Sequence, residues 1–157
     1  MTDKGFILAE HARLINKKNI ERFFSSSFYD LIKKANTVWR EQRFNLPLPA
    51  HVFSEISSKK SILRNHYVLV QGVIDLIIQT DSDKIILADY KTDYIPEDIR
   101  CDDTAIKEMF ADRYLRQLSY YALAIKRLFG RYPDSILIYS LSKGKTYELD
   151  LDTTVFD

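Results

Sequence analysis

Two acidic residues occur in apolar stretches of this sequence, where a charge is costly to bury. Asp75 lies within the apolar run 67–78, and Asp89 directly follows the apolar run 85–88. An unpaired charge in a buried strand costs on the order of several kcal/mol, so each carboxylate needs a compensating partner. A divalent cation such as Mg²⁺ or Mn²⁺ is the simplest partner for two aspartates, because these ions prefer oxygen ligands.

The spacing of the two aspartates predicts that they face each other. The turn-forming cluster Thr80-Asp81-Ser82-Asp83 separates the two runs, which are therefore predicted to form a β-hairpin. If the turn centres near Ser82, Asp75 and Asp89 are each seven residues from it. Opposite positions in an antiparallel ladder have Cβ atoms about 5 Å apart. Two carboxylates so close repel each other, and one would stay protonated unless a cation lay between them.

A lysine adds a positive charge to the same strand face, because Lys91 follows Asp89 by two residues. A bound metal ion can polarise a phosphoryl oxygen and lower the pKa of a water molecule. Lys91 could orient that water or stabilise developing negative charge. Taken singly, Asp89 and Lys91 could equally be an ion pair at a sheet edge. The combination of Asp75, Asp89 and Lys91 predicts the catalytic residues of a metal-dependent site that cleaves phosphodiester bonds.

Three further residues are candidates for supporting roles. Glu41 could hold the metal directly or through water, or transfer protons. Because Arg40 and Arg43 flank it, a surface ion pair is the interpretation that the sequence alone favours. Gln117 and Tyr121 are four residues apart on a predicted helix and so share a face. Tyr121 is by default a core residue, whereas Gln117 could hydrogen-bond the lysine, the substrate or a metal-bound water.

The predicted elements give helices, then a three-stranded meander, a long helix and further strands, which indicates an α/β sandwich with a mixed sheet. Proline is expected to end the first strand, at Pro47 and Pro49. The helices are predicted over 6–16, from Asn19 as an N-cap, over 28–34 and over about 103–129; the strands over 37–44, 52–56, 67–79, 84–91, 135–140 and 145–151. The side chains predicted to point inward are Ile20, Phe23, Phe24, Leu31 and Ile32, and on the long helix Tyr114, Leu118, Tyr121, Ile125 and Leu128.

Composition limits the class of protein. The 157 residues are enough for one domain, and 46% apolar with 29% charged residues is typical of globular proteins. Cys101 is the only cysteine, which excludes a disulfide framework and fits a reducing, cytoplasmic setting. No signal peptide and no apolar run of about 20 residues is present, so no membrane partner is predicted. The three histidines show no metal-ligand spacing.

The net charge of +1 is low for a protein that holds DNA by its overall charge. Any contact with nucleic acid must therefore come from a metal or from local basic patches. The predicted long helix has one such basic side, for which a solvated face is the default interpretation and a phosphate-contacting face the second. Its members are Arg113, Arg116, Lys126, Arg127 and Arg131.

Several motifs in this order resemble the RecB-like branch of the PD-(D/E)XK nucleases. They are Gly72-Val73-Ile74-Asp75, Asp89-Tyr90-Lys91-Thr92 and Gln117-Leu118-Ser119-Tyr120-Tyr121. The segments Arg40–Phe44, Val70–Gly72 and Asp89–Asp93 narrow the resemblance to nuclease domains of helicase–nuclease proteins of the AddA or RexA type. The resemblance spans essentially the whole chain. The set of motifs is specific, although any one motif would not be.

The resemblance implies a restriction-endonuclease-like α/β sandwich over 1–157, with N-terminal helices over about 6–35 and the catalytic sheet and helix over 36–157. It implies Mg²⁺ or Mn²⁺ held by Asp75, Asp89 and the backbone carbonyl of Tyr90. Lys91 is then the catalytic lysine, with Glu41 as a supporting acid and Gln117 with Tyr121 as a QxxxY motif.

The implied activity is exonuclease cleavage of single-stranded DNA or DNA ends in double-strand-break repair. The chain would be excised from a larger helicase–nuclease subunit that works with a second subunit. Family members also carry a metal-binding histidine on an upstream helix, which no residue here clearly matches. The alternative expectation is therefore a catalytically incomplete module that binds DNA or docks a partner.

Overall fold

The computed structural model describes residues 16–50 and 65–150. Within these ranges, the chain forms three helices and a five-stranded sheet with strand order β1-β2-β3-β4-β5. The helices are α1 (Lys17–Phe24), α2 (Ser27–Lys33) and α3 (Asp103–Phe129), and the strands are β1 (Thr37–Pro49), β2 (Tyr67–Gln79), β3 (Ile85–Lys91), β4 (Ser135–Ser140) and β5 (Lys145–Leu149).

The sheet is mixed and has helices on both faces, as the sequence predicts. Strands β1, β2 and β3 form an antiparallel meander, β3 pairs with β4 in parallel, and β4 pairs with β5 antiparallel. The parallel pair requires a crossover, which α3 supplies. One apolar core lies between the sheet and α3, and includes Leu87, Phe110 and Leu118. A second core lies beneath α1 and α2, and includes Phe28 and Tyr139.

The predicted hairpin is confirmed, including its centre. Leu76 pairs with Ala88 and Gln79 with Ile85, so the register is symmetric about Ser82. The Thr80 backbone carbonyl accepts a hydrogen bond from the Asp83 backbone N–H at 2.9 Å, which closes the turn. The same register places Asp75 opposite Asp89, one position beyond the last pair of the ladder.

Helix ends follow local capping chemistry. Asn16, not Asn19, caps α1: its side chain accepts a hydrogen bond from the Asn19 backbone N–H at 3.3 Å. The predicted cap was three residues late because Asn19 occupies the position whose N–H needs a cap. Gly130 ends α3 in the left-handed region at φ 77°, as expected for a glycine after a helix.

The first strand is longer than predicted, because it continues through Pro47 to Pro49. Strand β1 is at the edge of the described sheet, where a missing N–H does not break a ladder between two partners. The predicted helix 6–16, the predicted strand 52–56 and the end of the last predicted strand lie outside the described residues.

The prediction that Ile20 and Phe24 point inward is wrong, since they are 42% and 53% exposed. The prediction for Phe23 of the same helix is confirmed, because its ring packs edge-on against Tyr139 with centroids 5.2 Å apart. On α3 the predicted apolar stripe is confirmed up to Ile125, whereas Leu128 in the last turn is exposed. Of the described helices, none has the length and apolarity needed to cross a membrane.

Candidate active site

The β1–β2 ladder is interrupted where Glu41 and Asp75 oppose each other. Arg40 pairs with Leu76 and Gln42 pairs with Ile74, but the residues between them are unpaired. Glu41 has φ 50°, in the left-handed region that side chains other than glycine and asparagine rarely adopt. Strain of this kind is often found at functional sites.

The interruption changes which face of the sheet the side chains occupy. In a regular strand Ile74 and Leu76 would lie on the same face. Here Ile74 packs in the core beneath α3, whereas Leu76 packs in the core beneath α1 and α2. Strand β1 changes face in the same place, because Phe44 belongs to the first core and Val38 to the second.

The β2–β3 ladder ends beside this interruption, and Asp75 lies at its open end. Beyond the last pair, Leu76 with Ala88, the Asp75 carboxylate accepts a hydrogen bond from the Tyr90 backbone N–H at 3.1 Å. The Asp75 side chain therefore joins the two strands at a place where no backbone hydrogen bond of the ladder does so. The opening is a cleft of about 290 Å³ lined by Arg40, Glu41, Asp75, Leu76 and Tyr90.

Asp89 is the buried charge of the site. It is 2% exposed, and its Oδ2 atom lies 2.5 Å from the Lys91 ammonium. That contact is an ion pair, since no described residue donates a well-directed hydrogen bond to this oxygen. Burial raises the pKa of the Asp89 carboxyl, Lys91 opposes the rise, and the charges of Asp75 and Asp93 add to it. The carboxylate is thus only partly compensated, which fits a site for a further cation.

The backbone of Tyr90 also offers an oxygen. The carbonyl of the next residue, Lys91, accepts a hydrogen bond from the Leu141 backbone N–H at 2.9 Å, so Lys91 points its backbone groups toward β4. Tyr90 therefore points its N–H and carbonyl toward β2, where its N–H meets Asp75. The β2–β3 ladder has already ended at this point, so no ladder partner faces the Tyr90 carbonyl. The carboxylates of Asp75 and Asp89 together with this carbonyl are the oxygen ligands that Mg²⁺ or Mn²⁺ prefers.

Helix α3 places an amide against the lysine. Gln117 accepts a long hydrogen bond from the Lys91 ammonium at 3.5 Å and donates one to the Tyr121 hydroxyl at 2.6 Å. The predicted spacing of four residues thus does put both side chains on one face, toward the strand that carries Lys91. Burial raises the pKa of the Tyr121 hydroxyl, so the hydroxyl stays protonated at neutral pH.

Glu41 lines the cleft next to Asp75 and is exposed. The ion pair with Arg40 or Arg43 that the sequence favours does not occur among the ion pairs of the described residues. The position is therefore compatible with a supporting acid.

Sequence reasoning missed two members of this cluster, Tyr114 and Asp93. The Lys91 ammonium lies 4.1 Å from the centroid of the Tyr114 ring. The Tyr114 hydroxyl is 2.7 and 2.8 Å from the two carboxylate oxygens of Asp93. Two signals could have found them: Asp93 follows Lys91 by two residues, and Tyr114 precedes Gln117 by three on the same helix.

A second groove adjoins the site on the α3 side. It has a volume of about 410 Å³ and brings two arginines and two tyrosines alongside Gly72. A Cβ atom on Gly72 would lie 2.7 Å from the ring of Phe44, so only glycine lets that ring close over the strand. The lining residues are Phe44, Val70, Gln71, Gly72, Arg113, Arg116, Gln117, Tyr120 and Tyr121.

Comparison with known families agrees with this geometry. Residues 7–154 match the model of the PD-(D/E)XK nuclease superfamily. The chain therefore belongs to the PD-(D/E)XK nuclease superfamily, and the predicted resemblance and fold class are confirmed.

Among curated proteins the chain is similar to ATP-dependent helicase/nuclease subunits from several bacteria. It is 32% identical over 149 residues to that of Clostridium novyi, which covers 95% of this chain and 11% of the relative. It is 35% identical over 136 residues to that of Oceanobacillus iheyensis, which covers 86% of this chain and 10% of the relative. The chain thus spans about a tenth of the length of these relatives.

Proposed function

We propose that this chain is a metal-dependent nuclease domain that hydrolyses phosphodiester bonds of DNA. The observation that carries the proposal is the buried Asp89–Lys91 pair beside Asp75, at the open end of a ladder. A surface ion pair would need no such burial and no second carboxylate. Membership of a nuclease superfamily and the names of the relatives support the same activity.

The proposed roles follow from the positions of the groups. Asp75, Asp89 and the Tyr90 carbonyl would hold Mg²⁺ or Mn²⁺, which when bound polarises a phosphoryl oxygen and lowers the pKa of a water. Lys91 places a positive charge beside the reacting phosphate and stabilises the negative charge that develops on it. Gln117, held by Tyr121, limits the directions in which the Lys91 ammonium can point.

We further propose the setting that the family resemblance implies. The domain would act as an exonuclease on single strands or DNA ends, within a larger cytoplasmic helicase–nuclease subunit that works in double-strand-break repair with a second subunit. The share of the relatives that the chain covers supports only the larger subunit, since about nine tenths of each relative lies outside the matched region.

Cleavage of a single-stranded DNA oligonucleotide with Mg²⁺ or Mn²⁺ tests the proposal, with the parent polypeptide as the enzyme. Asp89→Ala and Lys91→Ala should each abolish cleavage. The matched controls are Asp81→Ala and Lys84→Ala, which change exposed residues of the same hairpin and should leave cleavage intact. Full cleavage by the Asp89 and Lys91 variants would refute the roles given to these residues.

A catalytically incomplete module that binds DNA or docks a partner is the second proposal. Within residues 16–50 and 65–150, no three His, Cys, Asp or Glu side chains converge as a metal cluster. Calorimetric titration of the chain with Mn²⁺ separates the two proposals. No binding of Mn²⁺, together with salt-sensitive binding of DNA, would favour the module.

A further inference from the structure

We propose that Tyr114, anchored by Asp93, is a positioning residue that holds the Lys91 ammonium in place. The catalytic consequence of this inference rests on the proposed nuclease function. The placement of the ammonium by the ring does not, and it can be measured without any cleavage.

Lys91 meets three different groups from two elements. Its ammonium lies 2.5 Å from Asp89 on its own strand and 3.5 Å from the amide oxygen of Gln117 on α3. The third group is the Tyr114 ring, whose centroid lies 4.1 Å away, well within the roughly 6 Å over which an aromatic face attracts a cation. The Lys91 side chain is only 14% exposed, so this attraction is little weakened by water.

The ring that faces Lys91 is itself fixed at its far end. The Tyr114 hydroxyl donates to Asp93, whose carboxylate also forms an ion pair with Arg113 at 3.0 Å. The backbone carbonyl of Asp93 accepts a hydrogen bond from the Ser142 hydroxyl at 2.9 Å. Tyr114 is therefore tied to the segment after β3, and the loop after β4 in turn holds that segment in place.

The hydroxyl of Tyr114 remains a donor over the whole physiological range. Burial, and then the hydrogen bond to Asp93, raise the pKa of Tyr114 to about 12. A protonated hydroxyl is what the Asp93 carboxylate needs as its partner. The Tyr114 hydroxyl can therefore donate to Asp93 at neutral pH.

The lysine and the residue that anchors the Tyr114 ring are close together in the sequence. Asp93 follows Lys91 by two residues, so the segment directly after the strand that carries the lysine also anchors the ring that holds it. Lysine has a long flexible stem, and a group of this kind needs several contacts to be held in one direction. A second lysine–tyrosine contact lies away from the site: the Lys126 ammonium is 4.3 Å from the centroid of the Tyr132 ring. This contact serves as an internal reference for the experiment on Lys91.

Nuclear magnetic resonance of the metal-free chain tests the placement. The Lys91 ε-protons should be shifted upfield by the ring current of Tyr114. Tyr114→Phe, which keeps the ring but loses its bond to Asp93, should keep part of that shift, and Tyr114→Leu should remove it. The Lys126 ε-protons should stay shifted in both variants, which shows that the variants are folded. An unchanged Lys91 shift in Tyr114→Leu would overturn the inference.

Cleavage kinetics of the parent polypeptide test the consequence. Tyr114→Leu should lower kcat about tenfold with little change in KM, because a misdirected catalytic group loses rate and not substrate binding. Tyr114→Phe should lower kcat less than Tyr114→Leu does, because the ring remains but its anchor is lost. A loss confined to KM, or a normal kcat in Tyr114→Leu, would also overturn it. If the unmodified polypeptide does not cleave DNA, the proposed function fails, while the spectroscopic result still decides whether the ring holds Lys91.

Discussion

Glu41 and Asp75 lie directly opposite each other across two paired strands, yet they form no ladder pair. Glu41 takes a left-handed backbone conformation there, and Asp75 turns its carboxylate toward the next strand, to the Tyr90 N–H. The interruption therefore releases an acidic side chain from the regular alternation of the sheet. It also opens the cleft that Arg40, Glu41 and Tyr90 line.

Glycine at position 41 should stabilise the protein. The left-handed backbone at Glu41 costs a side chain roughly 1–2 kcal/mol, and glycine loses roughly 0.5–1 kcal/mol more entropy on folding, so Glu41→Gly should raise the free energy of unfolding by up to about 1 kcal/mol. Glu41→Val should lower it, since a branched side chain is worse still in that region. Urea denaturation measures both. The exposed Glu148 of β5 is the control: glycine there should destabilise, because that strand backbone is not strained.

Alanine at position 72 should destabilise the fold. A new Cβ atom would lie 2.7 Å from the Phe44 ring, which is buried and packs against Tyr121 with ring centroids 5.6 Å apart. Overpacking of this kind costs about 1–3 kcal/mol. Thermal unfolding of Gly72→Ala measures the cost, and a shorter partner in Phe44→Leu/Gly72→Ala should recover part of it. If the double variant is no better than the sum of the single ones, the clash is not the cause.

Asparagine at position 89 should stabilise the metal-free protein at neutral pH. Burial raises the folded pKa of Asp89 above its ordinary value of 3.8, so folding favours the protonated form. That contribution is fully present below about pH 3.8 and is lost as the pH rises through the higher folded pKa. Asparagine cannot ionise, so Asp89→Asn avoids the stability that the unmodified protein loses when the Asp89 carboxyl becomes charged. Urea denaturation between pH 3.5 and about 7 measures the difference, and Asp81→Asn in the exposed turn should not reproduce it.

Divalent cations should stabilise the protein through the two aspartates. A ligand that binds only the folded state at about 100 times its dissociation constant adds roughly 2.7 kcal/mol. Mn²⁺ should therefore raise the melting temperature of the chain, and Asp75→Asn or Asp89→Asn should abolish the rise. Asp98→Asn, which changes an exposed loop residue, should keep it. An equal rise in all variants would place the cation elsewhere.

The sequence predicts those features of the site that depend on residues close together along the chain. Apolar alternation and the turn cluster predict the hairpin and its register about Ser82, and with it the relation of Asp75 to Asp89. The spacing of Gln117 and Tyr121 predicts a shared helix face. These features depend on residues close in sequence or on one symmetric turn.

The remaining features depend on tertiary contacts. A glutamate gives no sign that its backbone is left-handed, so the break at Glu41 cannot be read from its type. The continuation of β1 through Pro47 depends on the strand being at the sheet edge. The contact of Tyr114 with Asp93 joins residues 21 apart, through the docking of α3 on the sheet.

The change of face at the interruption links the position of Asp75 to the packing of both apolar cores. Strands β1 and β2 supply side chains to the core beneath α3 on one side of the break and to the core beneath α1 and α2 on the other. If both strands were made regular, the apolar side chains on one side of the break would point to the opposite face of the sheet, away from the core that they now fill. The interruption that exposes Asp75 therefore also determines which core each apolar side chain joins. Removing it would require both cores to be redesigned.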